Sequence, residues 1–86
     1  MNSQQIISRF EDIKVLKSEY LHSIWHDTLA LMTPIKNKIS NDLYDRLKVE
    51  LDCVYYESIY GGDKEDERMV RDHFIRVVDE VIAELS

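Results

Sequence analysis

Few side chains of this 86-residue chain could support catalysis or hold a metal. His22 and His26 are separated by one helical turn, and two histidines at that spacing form half of a zinc site. The sequence has no second cluster with ligand spacing, so we interpret both as surface histidines and expect no metal or other cofactor. Cys53 is the single cysteine and has no positively charged neighbour in sequence to activate it. We therefore predict neither a nucleophile nor a metal centre.

Arg68 and His73 have the spacing of an Arg-x4-His motif, and in this respect the chain resembles the HEPN ribonucleases. Five steps along a regular helix turn the two side chains about 140° apart, so we expect them not to share one site. The region is also acidic, whereas binding to RNA requires positive charge. Ion pairs with acidic helix neighbours are the simpler interpretation of Arg68, Arg71 and Arg76. Since the chain also lacks a phosphate-binding glycine loop and a serine elbow, we predict that it is not an enzyme.

A second row of apolar side chains lies in the middle of the chain, opposite the main hydrophobic face. At about 100° per residue, Leu47, Leu51 and Val54 point to one side of a helix. Four residues fall together near the opposite side, and we call them the outer stripe: Val49, Cys53, Tyr56 and Tyr60. Carboxylates surround this stripe at Asp42, Asp45, Asp52 and Glu57. A helix of a small bundle buries one face only, so we interpret the stripe as an apolar anchor with a charged rim; burial by self-association is the alternative.

The acidic run Asp63-Lys64-Glu65-Asp66-Glu67 follows the outer stripe directly. Residues 63–86 contain four basic and eight acidic residues, so most of the net charge of −6 lies in this last quarter. Carboxylates in a first helical turn also cap free N–H groups and favour the positive helix end, which alone would explain the run. Because the run lies next to the stripe, we include three of its carboxylates in the predicted surface.

The segment Asp52-Cys53-Val54-Tyr55-Tyr56 resembles the recognition segment of the small acidic immunity proteins that inhibit nuclease bacteriocins. Proteins of that family are all-helical, similar in size, and carry an Asp, two aliphatic positions and a Tyr-Tyr pair. The resemblance implies that Asp52, Tyr55 and Tyr56 contact a basic nuclease. The family has a proline where this chain has Glu57. It also has four helices with the tyrosines on a short third one, whereas here the tyrosines fall inside a long segment, and the helical wheel turns Tyr55 inward.

Charge and composition narrow the class of partner. A net charge of −6 and an isoelectric point of about 4.9 predict repulsion from phosphate backbones and from anionic membranes, so we expect neither nucleic-acid nor membrane binding. A basic protein would instead be attracted. A single cysteine excludes an internal disulfide, and no apolar run reaches the roughly 20 residues of a membrane span. The first residues lack the basic and apolar blocks of a secretory signal, so we expect a cytoplasmic protein.

The elements that must position these residues are predicted to be helices. Two glycines and one proline are too few turn residues for a β-sandwich or barrel, and apolar residues recur at helical spacing. The strong breakers are Thr33-Pro34, where Pro34 would begin a helix, and Gly61-Gly62-Asp63, where glycine would take a left-handed helix end and Asp63 would cap the next helix. We predict one all-α domain over residues 1–86, an antiparallel up-down-up three-helix bundle with helices over about 3–32, 34–60 and 64–85. A further break inside the first or second segment would change this arrangement.

The sequence thus predicts a small acidic helical protein that binds and neutralises a basic protein. The resemblance implies that this protein is an immunity protein or antitoxin that inhibits a bacterial toxin nuclease. The alternative is a helical adaptor or self-assembly module that forms a homodimer through the outer face of the second helix. The predicted partner-binding residues are Asp45, Val49, Asp52, Cys53, Tyr55, Tyr56, Glu57, Tyr60, Asp63, Glu65 and Asp66.

Overall fold

The computed structural model describes all residues from 1 to 86, and its regular elements are helices. The four α-helices are α1 (Ser3–Lys14), α2 (Leu21–Ile35), α3 (Asn41–Tyr60) and α4 (Lys64–Leu85), and a 3₁₀ turn (Ser18–Tyr20) precedes α2. Helix α3 packs against α2 and α4, and α1 packs against the same two helices. The predicted all-α class is confirmed. The predicted count of three helices is wrong, because the segment expected as one helix over residues 3–32 forms two.

The break inside the first segment is stabilised by a side chain of α4, which is far from it in sequence. Arg71 of α4 donates hydrogen bonds from Nε to the carbonyl oxygen of Leu16 and from Nη2 to that of Lys14, each at 2.6 Å. The last carbonyls of a helix have no partner within the helix, so these bonds stabilise the end of α1. Beyond it, Lys17 is extended with φ −75° and ψ 161°. A contact between residues 57 positions apart leaves no signal in the local sequence pattern.

The predicted helix start at Thr33-Pro34 is wrong. Pro34 lies in the last turn of α2, which ends at the next residue, Ile35. A proline lacks its own N–H and crowds the carbonyl of the preceding turn, which disfavours a long continuation of the helix, and α2 ends one residue after it. Helix α3 begins at Asn41 instead, because the side chain of Ser40 caps it by accepting a hydrogen bond from the backbone N–H of Leu43 at 3.2 Å.

The predicted break at the two glycines is where α3 ends, although its geometry differs from the expected one. Gly61 has φ −77°, and neither glycine has a positive φ, so the left-handed helix end does not form. Gly61 is needed for space, since a Cβ atom there would clash with the carbonyl oxygen of Glu57. Asp63 caps α4 as predicted, accepting hydrogen bonds from the backbone N–H groups of Glu65 at 2.8 Å and Asp66 at 3.4 Å.

The helices enclose one core of 17 hydrophobic residues, in which Phe10 and Phe74 are fully buried. Leu47, Leu51 and Val54 are the members from the middle and end of α3, so this helix turns one face to the core.

None of the four helices combines the length and the apolar character that crossing a bilayer requires.

Ion pairs and hydrogen bonds fix the direction of α3 against α4. The backbone N–H of Ser40 donates to Glu84, and Arg46, farther along α3, forms a bidentate pair with Glu80, which lies earlier in α4. The two helices are therefore antiparallel, and the pairs lie along their shared edge. The outer stripe lies beside this edge, on the face of α3 turned away from the core, and its side chains are exposed.

Candidate functional site

The outer stripe faces solvent along α3. The exposed fractions of Val49, Tyr56 and Tyr60 are 60%, 62% and 77%, and Cys53 between them is also exposed. These are large apolar surfaces for a helix of a monomer, and they lie one above another because the spacings of four, three and four residues follow the helical repeat. A contiguous exposed apolar row of this kind is typical of a binding surface.

The tyrosines continue into a longer series of aromatic contacts that crosses from α3 to α2. The ring centroids of Tyr56 and Tyr60 are 5.9 Å apart with their planes at 27°, and Tyr55 meets Tyr56 edge-on at 6.0 Å. Tyr55 also contacts Trp25 of α2 at 4.7 Å, and Trp25 in turn contacts His22 at 5.4 Å. We call these five side chains the aromatic row. Each step lies in the range of favourable ring contacts, so the row is an ordered surface.

Two members of the aromatic row, His22 and Trp25, are absent from the residues predicted to bind a partner. A helical wheel describes one helix at a time, and it gives no sign that a residue at the edge of α2 meets the tyrosines of α3. Tyr55, which the wheel turned inward, is half-buried and links the two helices. The aromatic row thus extends over two helices.

The histidines considered as half of a zinc site have separate surroundings. His22 lies against Trp25, and the imidazole Nδ1 of His26 lies 3.5 Å from the carboxylate of Asp27. The structure brings together no group of three or more side chains that could hold a metal ion.

The carboxylates of the predicted surface are free of ion pairs. Those elsewhere are often paired: Asp79 lies 2.6 Å from the amine of Lys14, and Glu80 pairs with Arg46. The members of the predicted surface without an ion pair are Asp45, Asp52, Glu57, Asp63, Glu65 and Asp66. Unpaired carboxylates beside exposed rings produce a negative electrostatic potential, which is complementary to a positively charged molecule.

Two of these carboxylates also have roles within the fold. Asp63 caps α4, as described above. Glu57 is half-buried, and its side chain lies against Gly61 with one carboxylate oxygen enclosed and without a hydrogen-bond partner. Glu57 therefore lies under the rim of the surface, whereas Asp45 and Asp52 are exposed on it.

The negative charge is concentrated in one part of the chain. Residues 42–67 contain nine acidic and three basic residues, and the rest of the chain contains eight of each. This stretch includes most of α3 and the first turn of α4, so the whole net charge of −6 lies with the outer stripe and the acidic run that follows it.

Cys53 contributes surface and not reactivity to this region. Partial burial, followed by the negative charges of Glu50 and Asp52, raises the pKa of its thiol. The thiol is therefore kept neutral, whereas a reactive cysteine requires the thiolate. In the outer stripe it acts as a small apolar side chain between Val49 and Tyr56.

The arginines of α4 depart from the expected helical ion pairs. Arg71 lies 3.4 Å from Asp72, but its main contacts are the backbone carbonyls at the end of α1. Arg68 and Arg76 are exposed and form no ion pair. A surface depression of about 650 Å³ is lined by Arg68 and Arg71 together with lysines and carboxylates and has no hydrophobic lining. Its mixed charges favour no particular ligand.

Comparison of the chain with family models, with curated proteins and with solved structures found no match. Its function is therefore inferred from its own residues.

Proposed function

We propose that this chain is a non-enzymatic inhibitor that binds and neutralises a basic protein, most specifically an immunity protein or antitoxin that acts in the bacterial cytoplasm against a toxin nuclease. The observation that supports this proposal is the exposed aromatic row beside carboxylates that form no ion pair within the chain. Tyrosine and tryptophan are the side chains that most often dominate binding energy when they enter a pocket of a partner.

The surface separates two physical tasks. The carboxylates of residues 42–67 attract a cationic protein from a distance and raise the rate of association. Tyr56 and Tyr60 lose their contact with water on docking and slow dissociation. Carboxylates also resemble the phosphates that a nuclease binds, so a chain seated over a nuclease groove would exclude the nucleic acid by charge and by volume.

The resemblance to the immunity proteins of nuclease bacteriocins agrees with this arrangement in one further respect. That family has four helices with the tyrosine pair on the third, and here Tyr55 and Tyr56 lie on the third of four. The length of α3, 20 residues, remains a departure from the short third helix of the family.

Charge favours a basic partner over a second copy of this chain. A symmetric dimer through the outer face of α3 would bring together two stretches that each contain nine acidic and three basic residues. Like charges at such an interface oppose association. Light scattering on the purified chain distinguishes binding of a basic partner from self-assembly, since a dimer that persists on dilution would support the self-assembly alternative.

The test is capture and neutralisation with a matched pair of variants. A tagged chain is used to capture its partner from the native host, and the captured protein is purified and assayed for nuclease activity with and without added chain. We expect a basic protein that the chain inhibits, and inhibition that is lost in Tyr56→Ser/Tyr60→Ser. The control is Tyr20→Ser, which removes a half-exposed tyrosine outside the aromatic row and should inhibit normally. Equal inhibition by both variants would contradict the proposal.

A further inference from the structure

Three residues of α3 form a line with an unusual combination of side chains. Asp52, Tyr56 and Tyr60 are separated by four residues each, so they lie one above another on the same side of the helix. The planes of the two tyrosine rings are nearly parallel, at 27°. The exposed fraction is 62% for Tyr56 and 77% for Tyr60, so both rings are accessible to a ligand. The line therefore offers two flat rings and, one turn away, a carboxylate.

The carboxylate of Asp52 is available to a ligand. Lys48 lies one turn before Asp52 on the same helix, the position from which an ion pair within the helix would form, but the structure has no ion pair between them. Asp52 is also exposed and accepts no hydrogen bond from another residue.

Arginine and lysine differ in how they use such a surface. A guanidinium is planar, stacks flat on an aromatic ring and donates two parallel hydrogen bonds to a carboxylate. A lysine ammonium is a compact and strongly hydrated charge that cannot do both with the same geometry. Cation–π contacts with tyrosine add to the attraction of charge alone.

We propose that Asp52, Tyr56 and Tyr60 form a recognition site for arginine, so that the partner binds through exposed arginine side chains and not through positive charge in general. This inference rests on the proposed function and specifies the chemistry of its partner. A guanidinium lies over the ring of Tyr56 and pairs with Asp52 one turn away, and the ring of Tyr60, stacked next to Tyr56, extends the aromatic surface. The other carboxylates of residues 42–67 supply attraction that does not distinguish arginine from lysine.

The test compares two peptides of equal charge, hexa-arginine and hexa-lysine, with the full-length chain. Trp25 is the single tryptophan and lies 4.7 Å from Tyr55, so its fluorescence reports binding to the aromatic row without a label. At low ionic strength we expect hexa-arginine to bind about tenfold more tightly, because stacking and paired hydrogen bonds are added to the shared charge attraction. Equal dissociation constants for the two peptides, or no binding of either, would overturn the inference.

Variants separate the ring contribution from the charge contribution. Tyr56→Leu/Tyr60→Leu keeps an apolar surface without rings, so the ratio of the dissociation constants for hexa-lysine and hexa-arginine should fall to nearly one. Tyr56→Phe/Tyr60→Phe keeps the rings and should retain most of the preference for arginine. Asp52→Asn should weaken hexa-arginine more than the matched charge change Asp12→Asn on α1, where the carboxylate is also exposed and unpaired. A preference that persists in the leucine variant would overturn the inference.

The outcomes for this inference and for the proposed function are separate. If the chain inhibits its partner through the tyrosines but binds both peptides equally, the arginine site is wrong and the proposed function stands. If the chain prefers hexa-arginine but inhibits no captured protein, the arginine site stands and the proposed function is wrong.

Discussion

Arg71 and Asp52 show how differently two charged side chains of this chain are used. Arg71 is mostly enclosed and donates to the two carbonyl oxygens at the end of α1. Asp52 is exposed beside the tyrosines and has no partner within the chain. At the scale of single residues, the first determines where a helix ends, and the second remains free to bind another molecule.

Replacing Arg71 by methionine should destabilise the fold. The change keeps a long side chain but removes both donors, which leaves the carbonyls of Lys14 and Leu16 without their partner. We expect the free energy of unfolding to fall by about 2 kcal/mol. Arg76→Met is the control, because Arg76 is exposed and unpaired, and its change should stay within about 0.5 kcal/mol. Urea denaturation followed by circular dichroism measures both, and equal losses would show that the bonds of Arg71 do not stabilise α1.

The helices themselves show what a local pattern can and cannot predict. The placement of Tyr56 and Tyr60 opposite the buried Leu47 followed from the wheel, because α3 runs without interruption over both sets. The cap at Asp63 followed from residue type. The end of α1 did not follow, because it depends on a bond from α4, and neither did the contact of Trp25 with the tyrosines, because it joins two helices. Local periodicity specifies the face of a helix, while contacts between helices set its ends and its neighbours.

The two adjacent glycines after α3 should respond in opposite ways to alanine. A Cβ at Gly61 would clash with the carbonyl of Glu57, whereas a Cβ at Gly62 would meet no atom within 4 Å. Gly61→Ala should therefore lower the free energy of unfolding by more than about 1 kcal/mol. Gly62→Ala should raise it by about 0.4–1 kcal/mol, since it restricts the unfolded chain and its folded backbone has no positive φ. Thermal denaturation of both variants is the measurement, and a stable Gly61 variant would show that the helix end can relax.

The ion pair between α3 and α4 should make stability depend on pH. Arg46, by its hydrogen bonds and then by its charge, holds the pKa of Glu80 below its ordinary value of 4.5. A carboxyl whose pKa is lower in the folded chain stabilises the fold above its unfolded value, and this contribution is lost as pH falls through the folded value. The wild-type chain should thus be more stable than Glu80→Gln at about pH 6, and the difference should shrink toward about pH 3.

Asp12→Asn is the control for that measurement, because Asp12 is exposed and forms no ion pair. Its stability relative to wild type should hardly change over the same range. A difference between wild type and Glu80→Gln that stays constant with pH would show that the pair does not contribute through the charge of Glu80.

At the scale of the whole molecule, charge and apolar surface coincide. The stretch from 42 to 67 contains the excess of acidic residues, and it includes the outer stripe, while the rest of the chain is balanced. Helix α1 lies away from this surface, against α2 and α4. Exposed residues of the proposed surface such as Tyr56, Glu65 and Asp66 are not part of the buried core, so they can be replaced in kinetic tests with little change in the core.

Association with the captured partner should depend on the acidic run. Glu65→Ser/Asp66→Ser removes two exposed carboxylates from the first turn of α4 and keeps the capping residue Asp63. We expect a lower association rate and a weaker dependence of that rate on salt, with the dissociation rate nearly unchanged. Glu11→Gln/Asp12→Asn removes the same charge from α1 and should have less effect, because it lies in the balanced part of the chain. Stopped-flow measurements at several ionic strengths decide this, and identical rates for the two variants would contradict steering by the acidic run.

The uneven distribution of charge has a consequence for orientation. A neutral body joined to a segment of net charge −6 has a permanent electric moment, and a positively charged object exerts a torque on it as well as a pull. For the basic partner proposed above, this torque would turn residues 42–67, which include Tyr56 and Tyr60, toward the partner before contact. Fewer collisions would then occur through the balanced part of the chain, and the search for the bound orientation would be shorter.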